Sequence, residues 1–135
     1  MGFKLLEAFD KKPHIIDLEL CKVLMEDKIF PWILLIPMRE NVVQMNQLNE
    51  KDSLILMREI NLASNIMEKL FNSDRLNVAA IGNKTPQLHI HIISRKESDP
   101  LWPETVGGQK MERLPEEAIC TRVKLLKEAF KGDLM

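Results

Sequence analysis

The stretch Gln87-Leu88-His89-Ile90-His91-Ile92-Ile93-Ser94-Arg95 decides how the chain is read. Polar and apolar residues alternate along it with period two, the pattern of a half-buried β-strand. Successive strand side chains point to opposite faces, so Gln87, His89 and His91 share one face. Leu88, Ile90 and Ile92 share the other, which must meet a core. Two imidazoles and an amide, spaced about 7 Å apart, make a compact polar row. Spacing alone leaves three uses open for it: plain strand decoration, a phosphate or metal contact, or the seat of a nucleophile.

The flanks add context. Leu76-Asn77-Val78-Ala79-Ala80-Ile81 is a second apolar run, joined to the first by Gly82-Asn83-Lys84-Thr85-Pro86. Two runs across a Gly/Asn/Pro turn predict an antiparallel hairpin, 76–81 with 87–94. Gly82 permits a tight path, and amides exposed in such a turn can face an anion near one end of the histidine row. Asp99-Pro100-Leu101-Trp102-Pro103 then breaks the regular structure.

On these residues the chain resembles the histidine triad (HIT) family of nucleotide hydrolases and transferases, whose motif is His-φ-His-φ-His-φ-φ with φ apolar. His89 and His91 match the middle and last histidines, and Gln87 replaces the first. In the strand Trp32-Ile33-Leu34-Leu35-Ile36-Pro37, Pro31-Trp32 stands where members usually carry Gly-His. The order of elements is similar over residues of about 20–105. Pairing Pro-Trp-x-Leu-x-x-Pro with Pro-Gln-Leu-His-x-His is similar to a divergent bacterial branch of the family.

The resemblance implies a mechanism. His89 would attack the α-phosphorus of a nucleotide and form a nucleotidyl-imidazole that water then hydrolyses. A neutral imidazole is competent near pH 7, and a covalent intermediate divides one hard displacement into two easier ones. The backbone carbonyl of Gln87 would fix the His89 tautomer, a role that survives loss of the first histidine. His91 would stabilise charge on a phosphoryl oxygen. Gln87 keeps a donor and an acceptor, whereas Trp32 replaces a polar group with a bulky aromatic that narrows the pocket. Asn83 resembles a residue touching the α-phosphate, and Lys84 would add charge there. Asp27, or Glu26 beside it, resembles the residue that bonds the ribose hydroxyls. Asn77 is polar in an apolar run and is a candidate to face the pocket, and Trp102 resembles an aromatic that closes the site. For each, a plain structural role is the alternative: turn Asn, solvated Lys, edge Asn, packing Trp. His14 is isolated and expected to be exposed.

Composition sets the bounds. A chain of 135 residues, 45% hydrophobic and 29% charged, suits one soluble domain spanning 1–135. A net charge of −1 predicts no broad attraction to nucleic acid polymers or anionic membranes, so any nucleotide would be small and locally held. Cys21 and Cys120 form no CxxC pair and are expected as reduced thiols. No signal-like segment opens the chain and no run of about 18 apolar residues occurs, which predicts a cytoplasmic protein. No cofactor is expected.

The expected fold is α+β, a HIT-like antiparallel sheet of about five strands with one long helix and a C-terminal helix. Strands are predicted at about 15–25 and 31–37. Asn49 caps a helix of about 50–72, with Asp52 as capping-box acid and Leu56, Ile60, Ala63, Met67 and Leu70 as its buried stripe. Pro115 opens a second helix to about 131, with Ile119, Val123, Leu126 and Phe130 as its stripe and Gly132 as its stop. The resemblance also implies a homodimer, in which that stripe serves either the partner or its own domain. Two alternatives stand beside the hydrolase: a nucleotide-binding module without turnover, and a metal site using His89 and His91, which needs further ligands.

Overall fold

The apolar run beginning at His14 does not continue to Met25 as one strand. It breaks at Leu18-Glu19-Leu20 into β1 (His14–Asp17) and β2 (Cys21–Met25), which pair antiparallel, in a computed structural model that describes residues 2–134. The cause is a carboxylate from far along the chain. Buried Glu59 accepts the backbone N–H of Leu20 at 3.0 Å and of Cys21 at 2.8 Å, pairing amides that the reversal would otherwise leave unmet away from water. Glu59→Ala is expected to lower the unfolding free energy by about 2–4 kcal/mol, because two buried amides lose a charged acceptor. Urea unfolding measures this, and a loss below about 0.5 kcal/mol would mean that the turn is held by other means.

β3 (Trp32–Pro37) lies beside β2, and β5 (Ile90–Arg95) lies between β3 and β4 (Arg75–Ala80). The five strands run in the order β1-β2-β3-β5-β4, and every pairing is antiparallel. The link between β4 and β5 is longer than a tight hairpin turn. β4 ends at Ala80 and β5 starts at Ile90, because the Leu88 N–H bonds the Val42 carbonyl at 3.0 Å, outside the hairpin, while its side chain enters the core. Gln87 and His89 therefore precede the strand instead of lying within it.

One face of the sheet carries the two long helices. α2 (Glu50–Phe71) starts as expected, with Asn49 Oδ1 accepting the Asp52 N–H at 2.8 Å. The Asp52 carboxylate does not complete a capping box. It takes the Arg39 guanidinium at 2.7 and 3.1 Å, a charged partner that outcompetes a backbone amide. Leu56, Ile60, Ala63 and Met67 are buried with Ile55 and Ile66 beside them, and Leu70 packs at the margin. Asn72 ends the helix in the left-handed region at φ 49°, which asparagine tolerates. α3 (Glu116–Leu134) packs on α2 and β1 and runs through Gly132, which does not adopt the positive φ that would stop it. Ile119, Leu126 and Phe130 join Val23, Ile33, Leu35, Ile90 and Ile92 in one core, so the C-terminal stripe serves its own domain.

Residues before β1 cover part of the other face. Phe3, Leu5 and Phe9 pack on Leu24, Leu34 and Ile36; Phe9 belongs to α1 (Glu7–Asp10). Further along, Phe30, Ile93 and Val106 gather with Trp32, Leu101 and Met111. Both cysteines are free, Cys21 buried and Cys120 exposed. Burial and the Glu59 carboxylate push the Cys21 thiol far above its usual range, which makes it inert. Among the described residues no helix is long and apolar enough to cross a membrane.

Candidate functional site

Register brings the polar residues together on the face away from α2 and α3. Leu34 of β3 lies opposite His91, and Trp32 lies opposite Ile93, so Trp32 and His91 are diagonal neighbours. The Trp32 indole donates from Nε1 to His91 Nδ1 at 3.0 Å. One step before the strand, His89 Nδ1 meets the Gln87 carbonyl at 2.7 Å. The imidazoles stand edge to face with centroids 4.9 Å apart, closer than a regular strand would set them, because His89 has left the ladder.

These partners decide both tautomers. An indole N–H only donates and a carbonyl oxygen only accepts. His91 therefore carries its proton on Nε2, and His89 carries its own on Nδ1, leaving a lone pair at His89 Nε2. Among the described residues neither Nε2 has a protein partner, and no buried side-chain nitrogen or oxygen lacks one, so both atoms reach solvent. Burial, then the neighbouring His89 and Lys12, push His91 down to about 4, so it is neutral across the physiological range. A ring nitrogen with a free lone pair thus stands beside a neutral N–H donor.

His89 opens on a cavity of about 650 Å³, shared with Gln44, Asn46, Ile81, Gly82, Asn83 and Leu88. Of the four residues proposed as nucleotide contacts, Asn83 alone lines it. Asp27 is engaged with Arg113 at 2.8 Å and Lys28 at 3.6 Å. Its neighbour Glu26 pairs with Lys12 at 2.6 Å. Asn77 faces the same side as His91 but accepts from Arg95 at 2.9 Å. Trp102 lies 5.8 Å over that same guanidinium, at the end of β5 remote from His89. Lys84 is exposed in the loop, and exposed His14 bonds Asp17 at 2.8 Å.

Gln87 contributes through its backbone. Its side chain clamps the segment before α1, donating to the Lys4 carbonyl at 2.8 Å and accepting the Leu6 N–H at 3.0 Å. That clamp fixes the approach of Phe9, whose ring lies 4.8 Å from the His89 ring. Sequence reasoning missed Phe9 and Lys12, which follow no motif and reach the histidines only through folding. Trp32 was expected to remove a polar contact, yet its N–H supplies one. A metal site lacks ligands: among the described residues no three His, Cys, Asp or Glu side chains converge, and zinc requires three or four.

The likeness to known proteins follows the same lines. The family model described as HIT domain matches residues 10–98. A histidine triad protein from Bradyrhizobium japonicum is 32% identical, with TM-score 0.90 over 96% of this chain and 98% of that one. Another from Sinorhizobium meliloti is 33% identical, with TM-score 0.89 over 94% and 96%. One from Marinobacter aquaeolei is 30% identical, with TM-score 0.91 over 98% of each chain. No curated protein matches the sequence.

Proposed function

The chain belongs to the HIT domain family, and on that premise we propose that it is a hydrolase or transferase acting on the α-phosphate of small adenine nucleotides. The observation that carries this is the complementary pair of tautomers. His89 Nε2 holds a free lone pair because Gln87 binds the opposite nitrogen, and His91 Nε2 presents a proton because Trp32 binds its Nδ1. In the first step His89 Nε2 bonds to the α-phosphorus, and the bond to the leaving oxygen breaks with its electron pair. The developing positive charge on the His89 ring is shared with the Gln87 carbonyl. Water then attacks phosphorus, the P–N pair returns to Nε2, and the proton that water loses passes to solvent. His91 donates to a phosphoryl oxygen in both steps.

Asn83 and the Gly82 turn, which line the same cavity, are the proposed phosphate contacts. Asp27, Asn77 and Trp102 retain their proposed nucleotide roles only if substrate draws them out of their present partnerships. One observation favours the second reading, a binding module without turnover: His89 is only 7% exposed and lies under Phe9. The unpaired edge of β4, with Val78 and, just beyond the strand, Ile81 half exposed, suits pairing with a second copy, hence a homodimer. Free cysteines suit a reducing compartment such as the cytoplasm.

The test is incubation of the purified protein with a panel of adenine and guanine mono- and dinucleotides, following products by chromatography and adducts by intact mass. Turnover with an acid-labile nucleotidyl adduct is expected. Saturable binding with neither turnover nor adduct would replace the hydrolase with the binding module, and no binding at all would remove both.

A further inference from the structure

The Trp32–His91 contact limits what the second histidine can do. Trp32 Nε1 stands 3.0 Å from His91 Nδ1, with ring centroids 5.6 Å apart. Because the indole can only donate, a proton on His91 Nδ1 would place two N–H groups head to head. The surroundings add no compensation. His89 and Lys12 are the titratable groups that act on His91, and neither is an anion. Glu26, the carboxylate beside Lys12, is already paired with it at 2.6 Å. Burial opposes the cation further.

We propose that Trp32 is a positioning residue that holds His91 as a neutral Nε2–H donor, so that the site selects leaving groups that depart as stable anions without taking a proton. This rests on the hydrolase assigned above. A neutral imidazole releases its N–H far less readily than an imidazolium, so His91 can polarise an oxygen but cannot act as a general acid near pH 7. When His89 Nε2 attacks an adenosine phosphoric or carboxylic anhydride, the P–O pair leaves on a phosphate or carboxylate, and no proton is required. When it attacks a phosphoramidate, the P–N pair leaves on nitrogen, which must be protonated to depart as an amine. Neutral His91 does not supply that proton, and Lys12, the cation that acts on His91, is held by Glu26 at 2.6 Å. The substrate class is therefore the mixed anhydride of adenylic acid, with phosphoryl or acyl leaving groups, in preference to the phosphoramidate.

The experiment has two arms. Nitrogen-15 NMR of histidine-labelled protein reads the tautomer and titration of His91 in the wild type and in Trp32→Phe. Steady-state kinetics compare diadenosine triphosphate with adenosine 5′-phosphoramidate in the same two proteins. The wild type is expected to show an unprotonated His91 Nδ1 at pH 7 and a kcat/KM preference for the anhydride of about 100-fold or more, the scale of a missing general acid. The Trp32→Phe variant keeps an aromatic ring at this position but loses the N–H donor. The His91 titration should then move up by about one unit and the preference shrink about tenfold at pH 6.

A protonated His91 Nδ1 in the wild type, or equal turnover of the two substrates, overturns the proposal. If neither substrate is hydrolysed, the assigned hydrolase fails and the leaving-group preference falls with it, while the NMR arm still reports on the indole contact. Should Trp32→Phe fail to fold, the wild-type spectrum and substrate pair decide the question alone.

Discussion

His89→Ala is expected to abolish nucleotide turnover, lowering kcat by a factor on the order of 10⁴ or more, since no other group can form the covalent intermediate. What matters is which nitrogen is free. The Gln87 carbonyl accepts the Nδ1–H at 2.7 Å, so the lone pair lies at Nε2, on a residue that lines the cavity. His91→Ala should be milder, about 10²–10³-fold, because it removes one donor to the phosphoryl oxygen and leaves the nucleophile in place. Binding of a nonhydrolysable nucleotide should change little in either variant, which separates lost chemistry from lost affinity. Parallel assays of adduct formation and turnover provide the check. Undiminished turnover in His89→Ala would end the covalent mechanism.

Much of this was legible in the chain before its structure. The apolar alternation that places Ile90 and Ile92 in the core, the capped helix from Asn49 and the stripe ending in Phe130 depend on local spacing, and local spacing is what sequence displays. The expected sheet and both long helices are present. What escaped depends on contacts across many positions. The run 15–25 carries no Gly or Pro to announce the reversal at Leu18-Glu19-Leu20. Glu59, nearly forty residues later, pairs its amides. Gln87 could be seen as a replaced triad residue, but not as the clamp on Lys4 and Leu6 that brings Phe9 to His89. Trp32 could be seen as a loss of polarity. That its N–H meets His91 follows only from the β3–β5 register, which sets the two side chains on a diagonal. The two neighbouring histidines are thus readable in sequence, while the setting of Asp27, Asn77 and Trp102 and the tautomers of both rings are written in tertiary contacts.

Asp99→Ala should have the largest effect on stability, about 3 kcal/mol or more, because it strands a buried cation. Arg95 is 1% exposed, and Asp99 meets its guanidinium at 2.7 and 3.0 Å. The same carboxylate accepts the backbone N–H of Lys96, Leu101 and Trp102. Arg95 in turn donates to Asn77 and lies between Phe30 and Trp102. Removing Asp99 therefore loosens the segment after β5 and releases two of the proposed nucleotide contacts together. The pH dependence has a definite sign. The Arg95 hydrogen bond, above all, holds the Asp99 carboxyl down at about 2, against 3.8 ordinarily. Between those values the unfolded chain binds the proton and the folded one does not, so acidification favours unfolding. The contribution is fully present above about pH 4 and is lost as pH falls towards 2. Melting temperatures of wild type and Asp99→Ala should lie furthest apart above pH 5 and converge in strong acid. A gap that persists unchanged at pH 2 would mean that packing around Trp102, and not the ion pair, is what the variant removes.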